Sequence, residues 1–236
     1  MIAVFVNVLT VLAGSLLGIL FRRRLKAELQ SAVMRALALC TVVIGISSAI
    51  KTEQLLCVII CLVLGTVLGE WLRIDDGIEN AGDAIKNRLL RGKVSESRFT
   101  EGFVSASILF CIGSMTIVGS LEAGINHNYS IIFAKSTMDF VSSMAFGAAM
   151  GFGVTCSALF VLVFQGGLTL LAGLVGPALS TAVVTEMSAV GGVILIGMAL
   201  NMLGALKERI KVANMLPAIF LPIVYIPLAD WLGSLF

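Results

Sequence analysis

Apolar residues run through this chain in blocks of about twenty, and the short stretches between the blocks hold most of the charge. The blocks fall at 2–21, 32–50, 54–73, 103–121, 131–150, 154–175, 186–205 and 213–234. At about 1.5 Å of rise per residue, each crosses a hydrocarbon core of roughly 30 Å as a helix. The pattern predicts an all-α, polytopic integral membrane protein with about eight transmembrane helices in one membrane domain, 1–236. The stretch from Phe140 to Val175 carries no formal charge and is far too long for one crossing. Gly151-Phe152-Gly153 is its best breaker, which predicts a tight hairpin there.

Charge placement gives an orientation. With eight crossings, segments 22–31, 74–102 and 206–212 share one side. They hold Arg22, Arg23, Arg24, Lys26, Lys86, Arg88, Arg91, Lys93, Arg98, Lys207, Arg209 and Lys211. Arg35 and Arg73 sit at span ends on that side, so only Lys51 and Lys135 of the 16 basic residues lie elsewhere. The bias predicts cytoplasmic basic loops and both termini outside. The first block reads as a retained span, because its basic cluster follows the apolar run instead of preceding it. Within 74–102, Ile78, Ala81, Ile85 and Leu89 recur at helical spacing among mixed charges, as in an amphipathic helix on the cytoplasmic surface.

Composition agrees and excludes several classes. Hydrophobic residues make up 58% of the chain and charged residues 13%, too few to cover a soluble domain of this size. The five cysteines all lie in apolar runs, the one histidine, His127, lies in a loop, and neither a disulfide framework nor a metal site is expected. No phosphate-binding lysine loop, nucleophile elbow or HExxH pair is present, so neither an enzyme nor a bound cofactor is expected. The basic residues lack interleaved aromatics, which argues against nucleic acid as a partner.

Against this background Lys135 and Asp139 stand out, four residues apart in an apolar block and so on one helix face. A charge at the bilayer centre costs at least about 2.5–3.5 kcal/mol on insertion scales, so intramembrane charges tend to be paired and functional. Two readings stand: a substrate or ion site that includes Ser136, with Asp139 able to take up a proton, or a capping box Ser136-x-x-Asp139 that starts a helix at the interface. Glu186 is either a second carboxylate in the same cavity or an acid favoured by a helix N-terminus. It precedes a run of small residues containing Gly191 and Gly192. Gly113 and Ser114 either let helices pack closely or allow an unwound stretch that faces a solute. Asn7, Gln165 and Asn201 are polar residues within spans that need partners. Asn201, one turn after Gly197, is the one singled out for a site. Pro217, Pro222 and Pro227 predict a kinked or broken last helix.

Val11–Gly18 resembles Leu170–Gly176, and each next span has an Ile-Gly step, at Ile44-Gly45 and Ile196-Gly197. This matches a 3+3 inverted repeat of 1–73 and 154–236, an arrangement of many secondary transporters. Four motifs carry a further likeness: Phe110-Cys with Gly113 and Gly119, Ala134-Lys135-Ser136 with Asp139-Phe140, Ser188 to Gly192, and Asn214-Met-Leu-Pro217-Ala218. In these, over essentially its whole length, the chain resembles the YqgA/YdfK-type family of bacterial inner-membrane proteins, a domain family of unknown function. The resemblance implies a single bacterial multi-span domain without a cofactor, and carries over no functional residue. The residues point to a small secondary transporter, a homodimer in the bilayer, moving a small anionic solute coupled to H⁺ or Na⁺. A non-transporting scaffold or accessory subunit, and a passive channel, are the alternatives.

Overall fold

The apolar blocks form helices, and the breaks between them fall at glycine, proline and charge. The computed structural model describes residues 1–22, 27–78, 80, 99–111 and 113–233. The chain runs through α1 (Ile2–Arg22), α2 (Ala27–Ala49), α3 (Leu55–Leu72), α4 (Phe99–Cys111), α5 (Ser114–Ile125), α6 (Ser130–Met150) and α7 (Phe152–Leu170). The short α8 (Ala172–Val175) and a 3-10 turn follow, then α9 (Thr181–Leu203), a 3-10 segment (Val212–Ile219) and α10 (Pro222–Gly233). The described residues contain no strand. Among the described residues, five helices are long and apolar enough to cross a membrane, or up to seven spans if each of two bent pairs counts as one. Most of the expected amphipathic stretch, 81–98, and the basic residues Arg23, Arg24 and Lys26 lie outside the described residues.

Both bent pairs have local causes. α4 and α5 meet at 58° beside Gly113, whose φ of 153° and ψ of 146° belong to a region essentially reserved for glycine. The block expected as one helix at 103–121 is therefore two. The last block bends by 45° between the 3-10 segment, which holds Pro217, and α10, which opens on Pro222. Missing N–H donors and ring clashes stop the α-helical ladder there, as the prolines predict. The expected hairpin is present: α6 ends at Met150, α7 begins at Phe152, and Gly151 between them has φ 86°. The block expected to run to Val175 stops at Leu170 and continues as α8.

Small residues set the packing. A Cβ on Gly14 would lie 2.4 Å from the Phe140 carbonyl oxygen, and one on Gly18 would lie 2.1 Å from that of Met144, so α1 and α6 touch backbone to backbone and run parallel. Gly45 of α2 meets Gly192 and Ile196 of α9 in an antiparallel crossing. Gly65 and Gly69 of α3 press on Ala218 and Asn214 of the 3-10 segment, again antiparallel. α9 is the most enclosed of the long helices, while α3 turns Leu56, Ile59, Val63, Val67 and Trp71 outward. Outward apolar side chains on helices this long are what lipid requires. At one end Arg209 grips both oxygens of Asp75 at 3.0–3.1 Å, and the Asp75 amide donates to Asn214 Oδ1 at 2.7 Å.

Candidate functional site: an ion pair beside a broken helix

α6 begins at Ser130, well before Lys135, and runs unbroken through Asp139. Ser136 is thus not a cap: its hydroxyl donates to the Ile132 carbonyl within the helix, and the capping-box reading fails. Lys135 and Asp139 form an ion pair across one helical turn, with 6% and 7% of their surface exposed. Phe110 of α4 sits near the ammonium, its ring centroid 6.0 Å from Nζ. A charge buried this deeply is tolerated only with a partner, and each supplies the other's.

The pair borders a cavity of about 220 Å³. Gly113, Thr116 of α5, Phe110 of α4, Ser48 of α2 and Ser142 of α6 share its wall with Lys135 and Asp139. The bend between α4 and α5 makes this space. It ends one helix and starts another inside the bundle, leaving backbone groups at both ends that helical bonding does not satisfy. Thr116 takes one of them, its hydroxyl donating to the Phe110 carbonyl at 3.0 Å. The start of α5, where the helix dipole is positive, faces the same space as the Lys135 ammonium, and both favour an anion.

Behind Asp139 stands a second polar layer. Asn7 of α1 and Gln165 of α7 are fully buried. Asn7 Nδ2 donates to Asp139 Oδ2 at 3.1 Å and to Gln165 Oε1 at 2.9 Å, so three helices meet on one amide. Asn7 Oδ1 and Gln165 Nε2 have no hydrogen-bond partner among the described residues. The residue pattern marks Asn7 and Gln165 as polar groups in need of partners, but nothing in it joins them to Asp139. Phe110, Thr116, Ser48 and Ser142 are missed as wall residues for the same reason, since only the fold brings their helices together.

The other expected site residues divide. Gly113 lines the cavity and Ser114 opens α5 beside it. Glu186 does not join Lys135. Its Oε2 accepts from the Thr52 hydroxyl at 2.6 Å, and its Oε1 accepts from the Glu53 and Gln54 amides at 2.8 and 3.2 Å. This buried carboxylate closes the α2–α3 turn. α9 begins at Thr181 after the cap Ser180, so Glu186, expected as an acid at the helix N-terminus, lies in the second turn. Asn201 also holds a loop, its side chain donating to the Ile210 carbonyl at 2.8 Å and accepting from the Ile210 amide at 2.9 Å. Gly191 and Gly192 are buried off the cavity, and Gly192 serves the crossing with α2, where a Cβ would meet the Gly45 carbonyl at 2.5 Å.

Comparison with known proteins agrees with the membrane reading. Residues 2–226 match the family model described as a protein of unknown function, DUF554. The chain is 29% identical over 224 residues, 93% of each chain, to the uncharacterized membrane protein YdfK of Bacillus subtilis. It is 30% identical over 219 residues, 92% of each chain, to the uncharacterized protein YqgA of Escherichia coli. No solved structure matches.

Proposed function

The chain belongs to the DUF554 family, and for this membrane protein we propose the function of a small secondary transporter, neither an enzyme nor a passive channel. The observation that carries the reading is the buried Lys135–Asp139 pair on the wall of a cavity made by a broken helix. An ion pair kept merely for stability gains little over apolar packing, whereas paired charges beside a cavity within membrane helices mark solute and ion pathways. Lys135 holds a small anion, Asp139 couples it to a cation, and Ser48, Thr116 and Ser142 offer hydroxyls.

The topology in this proposal has eight crossings. α6 supplies the crossing beyond the seven apolar ones, since its 21 residues match α1 in length and pack parallel to it. Spans 1–3 and 6–8 form the inverted repeat. Supporting this, each member of one triplet touches its counterpart: α1 meets α7 at Asn7–Gln165, α2 meets α9 at Gly45–Gly192, and α3 meets the 3-10 segment at Gly65–Ala218. The broken span and α6 lie between the triplets and carry the site. The basic loops face the cytoplasm, both termini lie outside the bacterial inner membrane, and the protein works as a homodimer.

The test is uptake into proteoliposomes. A panel of labelled small carboxylates, amino acids and inorganic anions is offered with and without a pH or sodium gradient. Saturable uptake by the wild type, lost in Lys135→Met, supports the transporter. Silence across the panel from protein that is monodisperse and helical in detergent contradicts it.

A further inference from the structure

The charge count at the cavity, together with the donors around Asp139, goes one step beyond the transporter reading on which it rests. We propose that the solute is a small monovalent carboxylate and that it moves with one proton, the anion replacing Asp139 as the partner of Lys135. The site's own charges cancel, one ammonium and one carboxylate, and among the described residues no other charged side chain lines the cavity. A monoanion that enters and takes the ammonium leaves two anions sharing one cation. An uncompensated charge in a buried site is costly enough that the group neutralises instead. A proton taken up from the outside solution by Asp139 restores neutrality: H⁺ and –COO⁻ become –COOH, and Lys135 keeps its charge and pairs with the solute. Nothing is oxidised and no covalent bond to the solute forms.

The surroundings favour a proton over a sodium ion. Asp139 faces Lys135 on its own helix, Asn7 from α1, Cys111 from α4, and the cavity wall of α2 and α5. Among the described residues, the polar contacts that reach its carboxylate are the Lys135 ammonium and the Asn7 amide nitrogen, both donors. Hard cations need several oxygen ligands, and this shell turns nitrogen toward the carboxylate. The second polar layer fits both protonation states. With Asp139 ionised, Asn7 donates to Asp139 and to Gln165, and Asn7 Oδ1 and Gln165 Nε2 are idle. Turning both amides over lets Asn7 Oδ1 accept from a protonated Asp139 and from Gln165. The two idle atoms are the ones this second arrangement uses. The cavity suits a molecule of a few non-hydrogen atoms with a carboxylate for Lys135, and either a hydroxyl that donates to Thr116 Oγ1 or a carbonyl for Ser142.

The experiment follows labelled L-lactate and pyruvate in proteoliposomes of the full chain, as net uptake and as exchange against the same acid inside. Net uptake is expected to rise when the outside is made acidic, in sodium-free buffer. It is expected to be unchanged by a potassium–valinomycin potential, where movement of the bare anion would shift accumulation by about fiftyfold per 100 mV. Asp139→Asn, a fixed neutral mimic, should lose at least about tenfold in net uptake yet keep exchange within about threefold of wild type, now independent of pH. Lys135→Met should lose both. Uptake of lactate or pyruvate that follows the potential or needs sodium overturns the proton stoichiometry, as does pH-dependent exchange by Asp139→Asn. Transport of amino acids or inorganic anions without either acid overturns the carboxylate while leaving the transporter reading intact. Loss of exchange together with net uptake in Asp139→Asn, from protein with wild-type elution and helicity, also overturns it.

Discussion

Asp139 and Glu186 are both carboxylates buried in a membrane protein, exposed by 7% and 2%, yet they are built into opposite settings. Glu186 accepts from three donors, a hydroxyl and two backbone amides, all belonging to the turn between α2 and α3. Its bonds tie α9 to that turn. Asp139 shares one oxygen between an ammonium and a side-chain amide, and it borders open space at a break in a helix. Burial alone does not distinguish a working acid from a structural one. What distinguishes them is whether the partners are fixed backbone or side chains able to change partner.

The comparison breaks most readily at Glu186. Glu186→Ala removes the acceptor of two half-buried amides and a hydroxyl, with an expected loss of about 3–5 kcal/mol of stability. Thermal unfolding in detergent checks it. Activity per folded molecule should stay within about twofold of wild type. Lys135→Met leaves the Asp139 charge unpaired and should cost about 2–4 kcal/mol. The double variant Lys135→Met with Asp139→Asn should recover at least half of that loss, and a double-mutant cycle reads the coupling directly. Asn7→Leu removes a buried amide from between α6 and α7. It should cost about 1–3 kcal/mol and also slow net uptake more than exchange, sharpening the assignment of the amide layer to Asp139. The smallest effect is expected at Asn201→Ala, about 1 kcal/mol, read as faster proteolysis of the 204–211 loop with transport intact.

Much of the fold is legible in the residue pattern because lipid imposes a length on each apolar block and hides no charge. The blocks, the turn at Gly151 and the break among the last three prolines follow from that and from local backbone rules. Two boundaries do not. The span expected at 103–121 folds as two helices because Gly113 adopts a backbone state that its neighbours cannot, and glycine within an apolar block reads equally well as a packing residue. The block expected to reach Val175 stops at Leu170, just before Gly173, Gly176 and Pro177.

The site is legible only in part. Lys135 and Asp139 lie one turn apart on one helix, so their spacing is enough to pair them. Asn7 and Gln165 are 132 and 26 positions from Asp139, on other helices, and no local rule connects them to it. The same holds for Glu186, whose partners Thr52, Glu53 and Gln54 lie in a turn with no signal of its own. Acidic character at the head of an apolar block thus led to the wrong neighbourhood for Glu186, whereas i, i+4 spacing led to the right one for Lys135.

The central claim is that the cavity beside Lys135 and Asp139 receives solute while the pocket of Glu186 is closed. Thiol labelling tests it without a transport assay. In a cysteine-free background, Ser142→Cys places a thiol on the cavity wall, and Ser188→Cys places one on α9, two residues from Glu186. Both are treated in membranes with a small anionic methanethiosulfonate. The account predicts modification at position 142, slowed by L-lactate, and none at 188. Modification at 188 with position 142 silent would contradict it.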